Sequence, residues 1–235
     1  MNRTTCAIHQ PNLFPRLPTL AKLYAADVWV VLDDVQFTAR DYQQRAWLED
    51  PHTMQGEWLS LSVHRPHGRR TLINQVRLAD PSTSARRVRR MTRHYYGRCR
   101  RWPHLQPLIE HTATGIETHH DLAHIAERST RLLLTHMGWQ GTVVRSSSLP
   151  ARPERSQRLA DLTAAVGAHA YLCGPGGARY LDETPFAEQG ITVRHAYIPA
   201  LAALRERRQT TGLWWLAVAD WKDLHGLLWR RWVGI

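Results

Sequence analysis

Apolar and polar residues fall into blocks along this chain, and the blocks change period. Thr4–Ile8 is a short apolar run and Val28–Leu32 is apolar and largely β-branched. Runs of that kind read as strands buried on both faces. Between them, Pro11, Pro15 and Pro18 bar a helix over residues 9–17, because each lacks an amide donor and holds its neighbour extended. Leu17, Leu20, Ala21 and Tyr24 then recur at helical spacing. Strand, helix and strand together make a βαβ unit.

Residues 37–57 are polar and irregular and read as a loop over the strand ends. Trp58–Val63 and Leu72–Leu78 alternate, which predicts two strands forming an antiparallel addition to the sheet. Asp80-Pro81 is a helix start, with Asp at the cap and Pro in the first turn. Val88, Met91 and Tyr95 give that helix one apolar stripe. Further helices are expected over His104–His111 and Thr118–Met137.

The alternation then returns. Gly141–Ser146 reads as a strand, Glu154–Val166 as a helix, Ala168–Cys173 as a strand and Ile191–Tyr197 as a last strand. The C-terminal part carries Trp214, Trp215, Trp221, Trp229 and Trp232, and Asp220 and Asp223 suggest a terminal helix. The expectation is one α/β domain over residues 1–235. It has a mostly parallel sheet with helices on both faces, Rossmann-like in its layers. A helical segment of about residues 80–138 lies between the two strand-helix-strand parts.

Composition adds a sign. The hydrophobic fraction of 43% is enough for a packed core, and the net charge is +11. A positive field draws phosphates, acidic proteins, nucleic acid or anionic surfaces. Lys22 and Lys222 are the only lysines, so the cations are almost all arginine. The three cysteines, Cys6, Cys99 and Cys173, follow neither a disulfide nor a zinc spacing. His119, His120 and His124 lack an acidic partner on their face, so no metal and no cofactor is expected. No leader and no apolar run of membrane-spanning length is read, which points to a cytoplasmic chain without a membrane partner.

Polar residues gather where the strands should end, the place where open parallel sheets bind ligands. His9 closes the first strand and can act as an acid or base near neutral pH, or can simply order the proline loop. Gln10 and Asn12 can orient a substrate. Asp33 and Asp34 follow the second strand with Gln36 nearby. Adjacent strand residues face opposite ways, so one of the two aspartates need enter a site; the other reading is a capped strand end. Arg40 and Arg45 can clamp a phosphate or carboxylate. Ser147 belongs to a serine triplet at a later strand end. Cys173-Gly-Pro-Gly-Gly177 is a glycine-rich turn at another, where the amides of Gly174, Gly176 and Gly177 can approach an anion. It is neither a Walker loop nor a dinucleotide fingerprint. Arg86, Arg87, Arg90 and Arg93 form a basic helix face, either solvated or docking an acidic partner.

Several of these pieces resemble one family. His9-Gln-Pro-Asn-Leu-Phe-Pro15, Ala26-Asp-Val-Trp-Val-Val-Leu-Asp-Asp-Val-Gln-Phe37, Gln44-Arg45, Trp58-Leu-Ser-Leu-Ser-Val63, Ser146-Ser-Ser-Leu149, Tyr171-Leu-Cys-Gly-Pro-Gly-Gly177 and Tyr180-Leu-Asp182 are similar, in order, to the WbqC-like protein family. Its members sit among genes for surface polysaccharides and secondary metabolites. The resemblance implies small-molecule biosynthesis with acyl or aminoacyl transfer, and adds Tyr180 and Asp182 to the candidate site. The family usually carries a small polar residue at the place of Cys173, so the resemblance implies no nucleophilic cysteine. Ala217-Val-Ala-Asp220 departs from the family's Ser-x-x-Asp ending.

The function expected is transfer of an acyl or aminoacyl group to a small-molecule amine acceptor. The donor would be an acidic carrier protein's thioester or an aminoacyl-tRNA. His9 and one of Asp33 or Asp34 would be catalytic, and the glycine turn would hold an oxyanion. A nucleotidyltransferase-like or cyclising enzyme, and a non-catalytic basic module that binds tRNA or a carrier protein, remain the alternatives.

Overall fold

The computed structural model describes residues 4–196 and 206–224. Five strands make a parallel sheet: β1 (Thr5–His9), β2 (Val28–Val31), β7 (Thr142–Arg145), β8 (Ala170–Cys173) and β9 (Thr192–His195). Their order is β7-β2-β1-β8-β9. The helices are α1 (Leu17–Tyr24), α2 (Pro81–Tyr96), α3 (Trp102–Thr118), α4 (Leu122–His136), α5 (Arg155–Ala165), α6 (Pro175–Ala178), α7 (Thr184–Glu188) and α8 (Gly212–Val218). The fold is α/β.

The apolar runs are buried on both faces because each face has its own cover. Ala7, Trp29 and Val31 pack with Leu17, Leu20 and Leu23 of α1 and Leu133 and Leu134 of α4. Cys6, Ile8, Val28 and Val30 pack with Ala160 and Leu162 of α5 and Phe186 of α7. From β1 the chain proceeds through β2 to β7 on one side. It then returns to β8 on the other side of β1. The order therefore reverses between β1 and β8, and a crevice opens outside their carboxyl ends.

The proline loop after β1 is pinned by distant side chains. Ser129 and Thr130 of α4 donate to the Asn12 carbonyl, at 3.3 and 2.9 Å. The Phe14 amide donates to Ser129 Oγ, and Thr211 Oγ1 donates to the Phe14 carbonyl at 2.6 Å. Phe14 is left-handed, with φ 42°. A non-glycine residue pays roughly 1–3 kcal/mol for such a conformation, and this ring of bonds holds it.

Four expectations change. Arg45–Glu49 is a strand, β3, paired antiparallel with β4 (Gly56–Ser60), where an irregular loop was expected. One face of the strand, Ala46 and Leu48, is buried. Asp50 closes the hairpin by accepting the His52 and Thr53 amides, and two inward residues are too weak a signal among polar neighbours. Leu72–Leu78 keeps only β6 (Arg77–Leu78), paired with β5 (Val63–His64), because Ile73–Gln75 turns as a 3-10 helix. Both antiparallel pairs stand apart from the parallel sheet. Finally, the helix expected over His104–His111, Pro107 included, is longer and runs from Trp102 to Thr118 as α3. An interior proline costs about 3 kcal/mol, and burial of Leu105, Ile109, Ala113 and Ile116 offsets it. The helical segment is α2–α4, residues 81–136. Residues 221–224 are helical, while Tyr197, Trp229 and Trp232 lie outside the described residues.

Candidate functional site

A cavity of about 1280 Å³ occupies the crevice between β1 and β8. It brings together His9-Gln10 and the Gly174–Gly177 turn, two pieces distant in sequence. Lys22, on the face of α1 turned to the sheet, forms its floor and is 7% exposed. Its Nζ donates to the Ile8 carbonyl at 2.9 Å and lies 3.4 Å from His9 Nδ1. The other ring nitrogen of His9, Nε2, lies 3.1 Å from Asn12 Oδ1. Asn12 Nδ2 in turn donates to the Pro11 carbonyl, which leaves Oδ1 as the atom facing His9.

That chain of bonds fixes the tautomer. Nε2 carries the proton and donates to Asn12, so Nδ1 accepts from Lys22. Burial holds the His9 pKa well below its ordinary value, and the Lys22 charge lowers it further. Burial also brings Lys22 down to about 8. A buried amine with a pKa near neutrality is suited to proton transfer. Gln10 Oε1 accepts from the buried Gln43 Nε2 at 2.6 Å, which fixes its amide at the rim.

The glycine turn opens α6. Gly174 comes close enough to Lys22 that a Cβ there would stand 3.3 Å from the Lys22 Cδ atom. Pro175 has no N–H and the Gly177 amide donates to the Gly174 carbonyl. The Gly177 amide is therefore spent within the turn, where the amides of Gly174, Gly176 and Gly177 had all been expected to face an anion. Cys173 is buried behind the turn, off the cavity wall, with its thiol pKa raised by burial. Tyr180 stands exposed at the mouth, with the Arg155 guanidinium 5.3 Å from its ring centre. Asp182 lies outside the cavity, where its carboxylate accepts the Thr184 amide and starts α7.

The two aspartates serve the sheet edge instead. Asp33 is 1% exposed. Its carboxylate accepts from the Ser147 amide at 3.1 Å and the Ser147 hydroxyl at 2.9 Å. Its own amide donates to Ser146 Oγ. Asp34 bonds Ser146 Oγ and pairs with Arg158 at 2.6 Å. The structure thus does not bring Asp33, Asp34 or Ser147 to the cavity wall. They tie the end of β2 to the turn after β7, because two carboxylates between two hydroxyls and a guanidinium are fully engaged there.

Gln36 is exposed and donates to the Arg69 carbonyl. Arg45 stacks over Trp58 at 3.9 Å, on the β3–β4 hairpin. Arg40 lines a separate cavity of about 490 Å³ with Arg65 and Arg87. On α2, Arg86, Arg90 and Arg93 are exposed, while Arg87 is half-buried and reaches Glu57 at 3.6 Å. Arg89 is paired with both Glu110 and Glu117 of α3, so acidic partners reach this helix across the bundle.

Five lining cations escaped the sequence reading: Arg16, Lys22, Arg155, Arg158 and Arg208. Arg16 and Arg208 come from opposite ends of the chain, and the Arg16 guanidinium donates to the Arg208 carbonyl at 3.3 Å. Lys22 did leave a trace, since a lysine is rare in a chain that uses arginine almost everywhere. No group of three or more His, Cys, Asp or Glu among the described residues is placed to hold a metal. No helix among them is long and apolar enough to cross a membrane.

Comparison with known proteins identifies a family. The model of the WbqC-like protein family matches residues 10–201. The uncharacterized protein Rv1507c of Mycobacterium tuberculosis is 26% identical over 193 residues, which covers 80% of this chain and 79% of that protein. No solved structure matches the chain.

Proposed function

The chain belongs to the WbqC-like protein family, and from that membership and its switch-point cavity we propose a biosynthetic transferase that moves an acyl or aminoacyl group onto a small-molecule amine. The carrying observation is the buried Lys22–His9 pair on the floor of the cavity, facing the glycine turn. The acceptor nitrogen attacks the acyl carbon of the donor. The C–S or C–O bond to the carrier breaks. One proton of the amine passes to neutral Lys22 and then to the departing thiolate or alkoxide, so atoms and charge balance. His9 positions Lys22 by accepting its hydrogen bond at Nδ1 and handing Nε2–H to Asn12. This moves the basic role assigned to His9 one atom further, to the amine it holds. Gly176 N–H offers a donor to the oxyanion.

The donor is a carrier-protein thioester or an aminoacyl-tRNA. Exposed Arg86, Arg90 and Arg93 suit the acidic surface of either, with Arg87 at the edge of the patch.

Acylated carrier protein and charged tRNA, each offered with a panel of amines, should yield an amide detectable by mass. His9→Ala and Lys22→Met should each slow its formation by roughly 100-fold or more, the usual weight of positioned proton transfer. Unchanged turnover in both variants overturns the assignment. So does an inactive His9→Ala protein that still fulfils its cellular role, which favours the non-catalytic module.

A further inference from the structure

The cavity is unusual in its charge, from Lys22 on its floor to the arginines of its mouth. Lys22 and Arg16 come from α1 and the residue before it, Arg155 and Arg158 from the first two turns of α5, and Arg208 from the segment before α8. No aspartate or glutamate lines the same cavity. Arg158 is paired with Asp34. The other four cations form no ion pair with any carboxylate of the described residues. Residues 1–3, 197–205 and 225–235 contain no Asp or Glu at all.

Three half-buried arginines elsewhere have a carboxylate, whereas half-buried Arg45 is stacked over Trp58 without one. Arg145 pairs with Glu127, Arg101 with Asp220 and Arg207 with Glu49. Arg16 is instead held by a neutral contact, stacked 4.3 Å from the Tyr42 ring centre, and Arg155 by Tyr180. Stacking fixes the direction of a guanidinium and leaves its donors free. The N-terminal turn of α5, which has no side-chain cap, lies on the same wall. Uncapped amides and a helix dipole add positive potential there.

We propose that this mouth is a phosphate subsite, and that the donor is seated in the cavity by a phosphate group beside its transferable acyl end. The proposal rests on the transferase reading only for calling the ligand a donor. Cations converging from three chain segments match the tetrahedral set of oxygens around a phosphate better than the two coplanar oxygens of a carboxylate. Like charges gathered without a counter-charge repel, and an anion eases that repulsion. The cavity exceeds the roughly 300–1,000 Å³ of an ordinary small-ligand site. It therefore has room for a phosphate-bearing arm together with an acceptor. Both donor classes carry a phosphate, in each case a diester, on the pantetheine arm of a carrier or at the terminal adenosine of a tRNA.

The test is direct binding to the full chain by titration calorimetry at fixed salt. Pantetheine is compared with 4′-phosphopantetheine, and adenosine with adenosine 5′-monophosphate. In at least one pair the phosphate should tighten binding about tenfold or more, and that pair names the source. Arg155→Gln with Arg208→Gln should abolish the preference. Both residues are exposed and make no ion pair, so the fold is retained, and the wild-type comparison stands without them. A preference below tenfold in both pairs, or one that survives the double variant, overturns the subsite. Phosphate preference without amide formation keeps the subsite and removes the transferase reading. Equal KM for donors stripped of phosphate does the reverse.

Discussion

Lys22 Nζ stands 2.9 Å from the Ile8 carbonyl oxygen and 3.4 Å from His9 Nδ1, so the first helix reaches back to the end of the first strand. The contact decides which group of the cavity is basic. His9 has both ring nitrogens engaged, and Lys22 keeps one position open to the cavity. The ordinary lysine pKa is lost because the ammonium is taken out of water.

Lys22 is expected to titrate near 8. Reductive methylation with ¹³C-formaldehyde labels the two lysines and the α-amino group, and Lys222→Arg leaves Lys22 as the one lysine resonance. A Lys22 midpoint above about 9.5, close to the model-peptide lysine, would contradict the buried position.

The same burial makes stability depend on pH. Between about 8 and the unfolded value of 10.5 the unfolded chain binds more protons at Lys22 than the folded one. Stability contributed by this residue therefore rises with pH across that window. Lys22→Met removes the penalty and should gain roughly 1–3 kcal/mol at pH 7, less the bond lost at the Ile8 carbonyl. The advantage should shrink towards pH 10.5. Urea melts of both proteins at several pH values read it, and an advantage that grows with pH has the wrong sign.

Asp33 is a structural residue in this arrangement. Asp33→Ala leaves the Ser147 amide without its acceptor and should cost about 2–4 kcal/mol. Loss of the chemical step with unaltered melting would instead put Asp33 in the reaction.

Cys173 is expected not to serve as a covalent nucleophile. Its thiol is buried and its pKa is raised by that burial, while burial pushes Cys6 up to about 12. Iodoacetamide at neutral pH should label half-buried Cys99 first, and Cys173→Ser should keep turnover within about threefold, since no proton-transfer or nucleophilic term of catalytic size is removed. An acyl adduct on Cys173 seen by intact mass would show the opposite.

Arg86→Glu with Arg90→Glu should raise the apparent KM for a carrier- or tRNA-borne donor several-fold. It should leave a minimal thioester donor unaffected. The wild-type advantage should fade with salt, because the Debye length is about 8 Å at physiological ionic strength and shorter above it. Equal effects on both donors place the patch inside the fold or the site, and no effect on either makes it a solvated face.

The sequence by itself determined the parallel α/β layers, because runs such as Val28–Val31 are buried only when both faces of a sheet are covered. It also marked the residues that line the cavity at the strand ends. His9, Gln10 and Gly174–Gly177 stand at strand ends, a local property that proline and glycine spacing makes visible. The hairpin of Arg45–Glu49 and Gly56–Ser60 stayed hidden, since its inward residues are few. What only the tertiary structure decided is the charge of the site. Asp33 and Asp34 lie beside His9 in the strand pattern, but Ser146, 113 and 112 residues away, bonds both and Ser147 bonds Asp33. Lys22 reads as one polar position on a short helix, until packing of α1 against β1 removes its water. Arg16 and Arg208 meet across 192 residues of chain. Periodicity reports which face of an element is buried, and it says nothing about which distant polar group the fold brings to meet it.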